Sequence, residues 1–146
     1  MSVEQRQNYS KKREAILKAI RSTTTHPTAE WVYQTLKPQH PDLSLGTVYR
    51  NIARFKENGQ IISVGVVNGQ ERFDGNVKPH SHFICSVCGR VFDVGGDYLG
   101  REAAERIADR YRFQVNSSEV VFRGICAECL NRQSEAPVGE NHGRNF

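Results

Sequence analysis

The chain carries four cysteines, at positions 85, 88, 126 and 129, and they form two Cys-x-x-Cys pairs. Each pair can turn two thiolates toward one tetrahedral ion at about 2.3 Å, and Gly89, directly after the first pair, suits the tight knuckle this requires. Four thiolates leave no open coordination position, so a Zn(II) held by Cys85, Cys88, Cys126 and Cys129 is structural rather than catalytic. Dithiol redox chemistry is the competing reading, but no thioredoxin-like βαβ pattern adjoins either pair. The 37 residues between the pairs exceed a minimal zinc ribbon, so that stretch must hold elements of its own.

A second cluster follows from His80-Ser81-His82, with Asp74 six residues upstream and Asp93 five residues after Cys88. Alternation along an extended segment puts His80 and His82 on one face, where both imidazoles can reach one ion. Taken alone, such a pair is commonly two surface histidines. The two aspartates favour ligation, and imidazole plus carboxylate without thiolate suits Fe(II) or Mn(II) rather than zinc. No Ser/His/Asp triad, phosphate loop or spare nucleophile is present, and His80 lacks the following x-Glu of a zinc deaminase, so the chain does not read as an enzyme.

The elements that must position these residues are legible on both sides. Ser10 is expected to cap a first helix carrying Ile16, Leu17 and Ile20. Thr28, after Pro27, should cap a second that buries Val32 and Leu36 and stops before Pro38, and Ser44 a third that ends near Gly59. On this third helix Leu45, Val48, Ile52 and Phe55 form an apolar stripe. Thr47, Arg50, Asn51 and Arg54 recur on another face, with Tyr49 beside them. Their forks, amide and hydroxyl suit base edges and phosphates in a major groove, against the plainer reading of a solvated face.

IISVGVV, Asn68-Gly69 and QERFD then read as a hairpin. Three helices followed by a hairpin is the winged-helix order, with a small protein-binding α+β domain as the alternative. Beyond it come a strand, a knuckle and a strand (HFICSVCGRVFDV), then a helix with Leu99, Ala103, Ile107 and Tyr111 at helical spacing. A further strand, VVFRGIC, leads into the second cysteine pair, and Gln133–Phe146 reads as a polar tail. The second half has few apolar residues for a core, so a metal staple and an oligomer partner would both support it.

Charge follows the same division. Residues 1–73 carry 11 Lys/Arg against 6 Asp/Glu, and residues 74–146 carry 9 against 10, which places any nucleic-acid surface in the first half. No apolar run approaches the ~20 residues of a membrane span and the N-terminus is polar, so no membrane association and a cytoplasmic location are expected.

HPTAEWVY, SLGTVYRNIARFKENG, ERFD, HSHFICSVCGRVFDV and GICAEC, in that order over residues 10 to 130, resemble the ferric uptake regulator (Fur) family of bacterial metal-dependent repressors. The resemblance implies an α+β fold: an N-terminal winged-helix DNA-binding domain and a C-terminal α/β dimerisation domain with a four-cysteine zinc site. The expected limits are 1–74 for the first, 75–79 for a hinge, 80–132 for the second and 133–146 for the tail.

It further implies a homodimer on double-stranded operator DNA and a regulatory Fe(II) or Mn(II) on His26, Asp74, His80, His82 and Asp93. His26 enters by resemblance alone. Aspartate at 74 and 93 is similar to the peroxide-sensing repressor (PerR) sub-family, in which His26 and His80 would be the oxidation targets. The alternative is an iron- or zinc-uptake repressor responding to metal concentration. Arg50 stands where peroxide sensors often carry Asn. Ser81 and Ser118 argue against accessory metal sites, and His40 and His142 match no motif and are expected in solvent.

Overall fold

The computed structural model describes residues 1–95 and 98–135. Three helices lead, α1 (Val3–Arg21), α2 (Ala29–Leu36) and α3 (Leu45–Glu57), each started by a side-chain cap. Thr28 and Ser44 accept the backbone N–H groups of Trp31 and Thr47, both at 3.1 Å, as expected from the sequence. The expected cap at Ser10 is corrected: Ser10 lies inside α1, which Ser2 and Gln5 start with a reciprocal capping box. Nothing between them breaks a helix, and residues 3–9 extend it as a solvated rod ahead of the buried Ile16, Ala19 and Ile20. These pack with Val32, Val48, Ile52 and Phe55 in the helical core.

The hairpin follows as β1 (Ile62–Val67) and β2 (Gln70–Asp74), closed by Asn68 and Gly69 at φ 54° and 78°. Positive φ at both central positions is the geometry of a type I′ turn, whose twist matches that of the strands. A register irregularity between Ser63 and Gly65 bends β1, so the hairpin serves two cores. Phe73 enters the helical core, while Val64 and Val67 pack on Ile84 and Val91 of the next sheet. Burial of each valine is worth about 1.5–3 kcal/mol, enough to hold the hairpin against that sheet.

The second sheet has the order β4-β3-β5, from β3 (Ser81–Cys85), β4 (Val91–Val94) and β5 (Val121–Gly124). β3 pairs antiparallel with β4 and parallel with β5, so a crossover is required, and α4 (Tyr98–Tyr111) supplies it. The expected apolar stripe of α4 is present, but Leu99, Ile107 and Tyr111 are 61%, 41% and 55% exposed. The last element, α5 (Ala127–Glu135), runs past the expected start of a polar tail at Gln133. It does so because nothing between Cys129 and Glu135 interrupts a helix that Cys129 anchors. The rest of that tail, with His142, lies outside the described residues. His40 is half-buried rather than solvent-exposed, because the turn after α2 folds back, its N–H donating to the Leu36 carbonyl at 2.9 Å. Among the described residues no helix is long and apolar enough to cross a membrane.

Candidate metal centres and the outward face of helix α3

The two cysteine pairs meet because β3 and β5 run side by side. Cys85 ends β3 opposite Gly124, and Cys126 and Cys129 follow β5 into the first turn of α5. The Ser86 N–H donates to the Gly124 carbonyl at 2.8 Å, and Gly89 turns the knuckle at φ 72°. All four sulfurs lie within 4.8 Å of one another, and Cys88 and Cys126 are 3.8 Å apart. Four sulfurs at about 2.3 Å from one tetrahedral ion are separated by about 3.8 Å, so the set has the dimensions of a zinc site.

Its electrostatics point the same way. Backbone N–H groups of Cys88 and Cys126 draw the Cys85 thiol down to about 6, against the effect of burial. Burial, then the neighbouring sulfurs, pushes Cys129 up to about 12. Cys85 and Cys88 are thus drawn toward the thiolate while Cys129 is held back from it, and a cation among the sulfurs would favour the thiolate there too. Arg90 supplies part of that charge, its Nε donating to Cys88 Sγ at 3.3 Å and its Nη2 facing Cys126 Sγ at 3.6 Å and the Glu128 carboxylate. The sequence reading did not single out Arg90.

The five side chains of the second cluster also come together. Asp74 ends β2, His82 lies in β3 opposite Asp93 in β4, His80 immediately precedes β3, and His26 occupies the α1–α2 loop. Asp74 Oδ2 lies 3.2, 2.8 and 2.9 Å from Nε2 of His26, His80 and His82. Asp93 Oδ1 lies 2.7, 3.0 and 3.3 Å from the same three nitrogens. His26, Asp74 and His82 are buried, and Asp93 is the most open of the five.

His80 gives the test of fit. Its Nδ1 faces the Lys78 carbonyl at 2.6 Å, an acceptor only, so Nδ1 carries the proton. In the neutral tautomer Nε2 then points a lone pair at two carboxylate oxygens, an arrangement that requires a second proton or a cation between them. A metal ion meets this requirement at His80 and lies within reach of the Nε2 atoms of His26 and His82 as well, and nitrogen plus oxygen donors suit Fe(II) or Mn(II).

On α3 the expected outward stripe divides. Tyr49, Arg50 and Arg54 are exposed, Thr47 is half-buried, and Arg50 Nη2 donates to Thr47 Oγ1 at 3.1 Å. Tyr9 of α1, which the sequence reading passed over, shares a groove with Arg50, Arg54 and Lys56. The expectation for Asn51 is corrected: it is buried, with Nδ2 donating to the Thr47 carbonyl at 2.8 Å. Counting i+3, i+4 and i+7 from Val48 gives 51, 52 and 55, so Asn51 belongs to the inward stripe.

A family model described as the Ferric uptake regulator family matches residues 4–123. The Peroxide-responsive repressor PerR of Staphylococcus aureus is 36% identical over 121 residues, covering 82% of this chain and 80% of that protein. Among solved structures, the Campylobacter jejuni peroxide stress regulator superposes with a TM-score of 0.75 at 26% identity, covering 88% of this chain and 100% of that one. The Vibrio cholerae ferric uptake regulator (Fur) gives a TM-score of 0.63 at 26% identity, over 79% and 88% of the two chains.

Proposed function

Because the chain belongs to the ferric uptake regulator family, we propose that it is a homodimeric, metal-dependent transcriptional repressor that senses hydrogen peroxide through Fe(II). The observation that carries this reading is the meeting of three imidazoles and two carboxylates from separate parts of the fold. His26 and Asp74 belong to a DNA-binding unit, residues 1–74. His80, His82 and Asp93 belong to a dimerisation unit, residues 80–132, reached through a hinge at 75–79. Cys85, Cys88, Cys126 and Cys129 hold a structural Zn(II) that staples the second unit.

These residues act as a clamp. With all five ligands engaged, the α3 helix of each protomer is held at the spacing and angle of its half-site on duplex DNA. Thr47, Tyr49, Arg50 and Arg54 meet the operator from this helix. Fe(II) held by His26, Asp74, His80, His82 and Asp93 would supply one-electron redox chemistry toward peroxide, which Mn(II) in the same place would not. His26 or His80 would take up one peroxide oxygen at a ring carbon, the other oxygen leaving as water, and in losing its fit as a donor would release the clamp from its side of the hinge. The zinc-held thiolates stay out of this chemistry because tetrahedral ligation closes them off.

The peroxide reading is favoured over a metal-uptake repressor by aspartate at both carboxylate positions and by the S. aureus relative. The test loads the zinc-containing protein with Fe(II) or Mn(II), adds low peroxide anaerobically, and follows operator binding and peptide masses. The iron form should lose DNA with one oxygen added at His26 or His80, and the manganese form should keep both. An iron form that keeps its DNA and its histidines while the thiols oxidise first overturns the reading.

A further inference from the structure

We propose that Arg72 is a positioning residue that presets His26 for the regulatory metal by gripping the backbone of its loop. This rests on the reading of the His/Asp cluster as a metal site. A ligating histidine is ordinarily aimed by a hydrogen bond at its other ring nitrogen, and His80 has one, to the Lys78 carbonyl. His26 has none: its Nδ1 is buried without a partner among the described residues. Its backbone is also left-handed, at φ 55°, a conformation that a residue with a side chain keeps only when its surroundings impose it.

The surroundings that do so come from β2. Arg72 Nε donates to the His26 carbonyl and Nη2 to the Thr25 carbonyl at 2.7 Å, while the Phe73 N–H donates to the Pro27 carbonyl at 3.0 Å. Three consecutive carbonyls are thus held by two consecutive residues. The next residue, Asp74, presents its carboxylate to His26 Nε2. The third arm of the fork, Nη1, reaches the Gly89 carbonyl at 3.5 Å, beside the knuckle of the cysteine cage. Arg72 therefore touches the His26 loop and the zinc knuckle together. A guanidinium has the fixed fork this needs, and a lysine ammonium does not.

The test measures Mn(II) affinity of the full, zinc-containing chain by electron paramagnetic resonance of the free ion, with zinc content and far-ultraviolet circular dichroism alongside. Arg72→Lys should weaken Mn(II) about ten- to a hundredfold, with zinc and helix content unchanged. In a His26→Ala background the same substitution should cost nothing further, because Arg72 acts through His26. If R72K disturbs zinc or helix content, Arg72→Gln is read by the same criteria. Wild-type affinity in the Arg72 variant, or an undiminished loss in the H26A background, overturns the role of Arg72. His82→Ala separates the two levels: wild-type Mn(II) affinity in H82A overturns the metal-site reading itself. Loss in H82A beside wild-type affinity in R72K overturns only the inference about Arg72.

Discussion

His82 and Asp93 are direct partners across the β3–β4 ladder, so the register of that strand pair places an imidazole and a carboxylate on one face. Cross-strand partners have Cβ atoms about 4.5–5.5 Å apart, close enough to share one ion. A slip of β4 by one residue would turn Asp93 away from His82, and the burial of Ile84 and Val91 resists it. Asp93→Asn keeps the shape but removes the charge. It should weaken Mn(II) by at least about tenfold while leaving one zinc per chain, as metal analysis and Mn(II) titration would show.

The cysteine cage sits at the end of a sheet with a thin core, so its loss should be structural. Cys88→Ser is expected to release zinc and give monomer or aggregate in sedimentation, while the helical core persists. A stable dimer without zinc would contradict the staple.

Helix α3 separates two kinds of effect on its two faces. Arg50→Ala should cost about 1–3 kcal/mol in operator binding and relax the preference at one base position, read by titration against operator variants. Asn51→Ala should instead lower the unfolding midpoint, by about 1–2 kcal/mol of stability, and leave the pattern of base preference unchanged. A base-specific loss from Asn51 alone would place that side chain on the DNA.

The stripe of Leu99, Ile107 and Tyr111 on α4 is exposed in the single chain, and the proposed homodimer would bury it. Ile107→Glu should shift sedimentation toward monomer and weaken operator binding, with Mn(II) affinity unchanged. A dimer of undiminished stability would move the interface elsewhere.

The His/Asp cluster also predicts opposite pH responses with and without the second metal. Burial pulls His26 and His80 down, but hydrogen bonds and the charges of Asp74 and Asp93 outweigh it, so both stand above the ordinary imidazole value. Burial raises Asp74, yet the imidazoles and the Asn76 N–H hold it well below the usual carboxylate range.

The histidine contribution to stability is complete below about pH 6.5 and is lost as pH rises through the raised folded values. The Asp74 contribution is present above about pH 4 and is lost as pH falls toward its depressed value. In zinc-containing protein without a second metal, the contribution of this cluster to stability should therefore be largest at about pH 4–6.5 and fall above that window. Mn(II) binding, which needs unprotonated rings, should strengthen over the same rise. Thermal unfolding and Mn(II) titration from pH 5 to 9 would check both; a midpoint of the metal-poor protein that rises steadily with pH would exclude the ion pairs.

Features set by near neighbours in the chain were legible without a fold: the caps at Thr28 and Ser44, the Asn68-Gly69 turn and both Cys-x-x-Cys knuckles. Each is decided by a few adjacent side chains and the backbone groups they meet. The cap at Ser10 failed for the same local reason, since Ser2 and Gln5 offered an earlier start. His80, His82, Asp74 and Asp93 were readable as candidates because three flank one turn of chain and the fourth lies one strand away. His26 lies 48 residues from Asp74, and composition alone gives no sign of it. Only packing brings the α1–α2 loop against β2, where Arg72 and Phe73 hold it. Asn51 lies at i+3 from Val48, between the two stripes of α3, and packing decided which it joined: it is buried, with its amide turned back to the Thr47 carbonyl. Local pattern determines what a residue can do; the long-range contacts that close the core determine which residues do it together, because their register is set by burial rather than by neighbours in sequence.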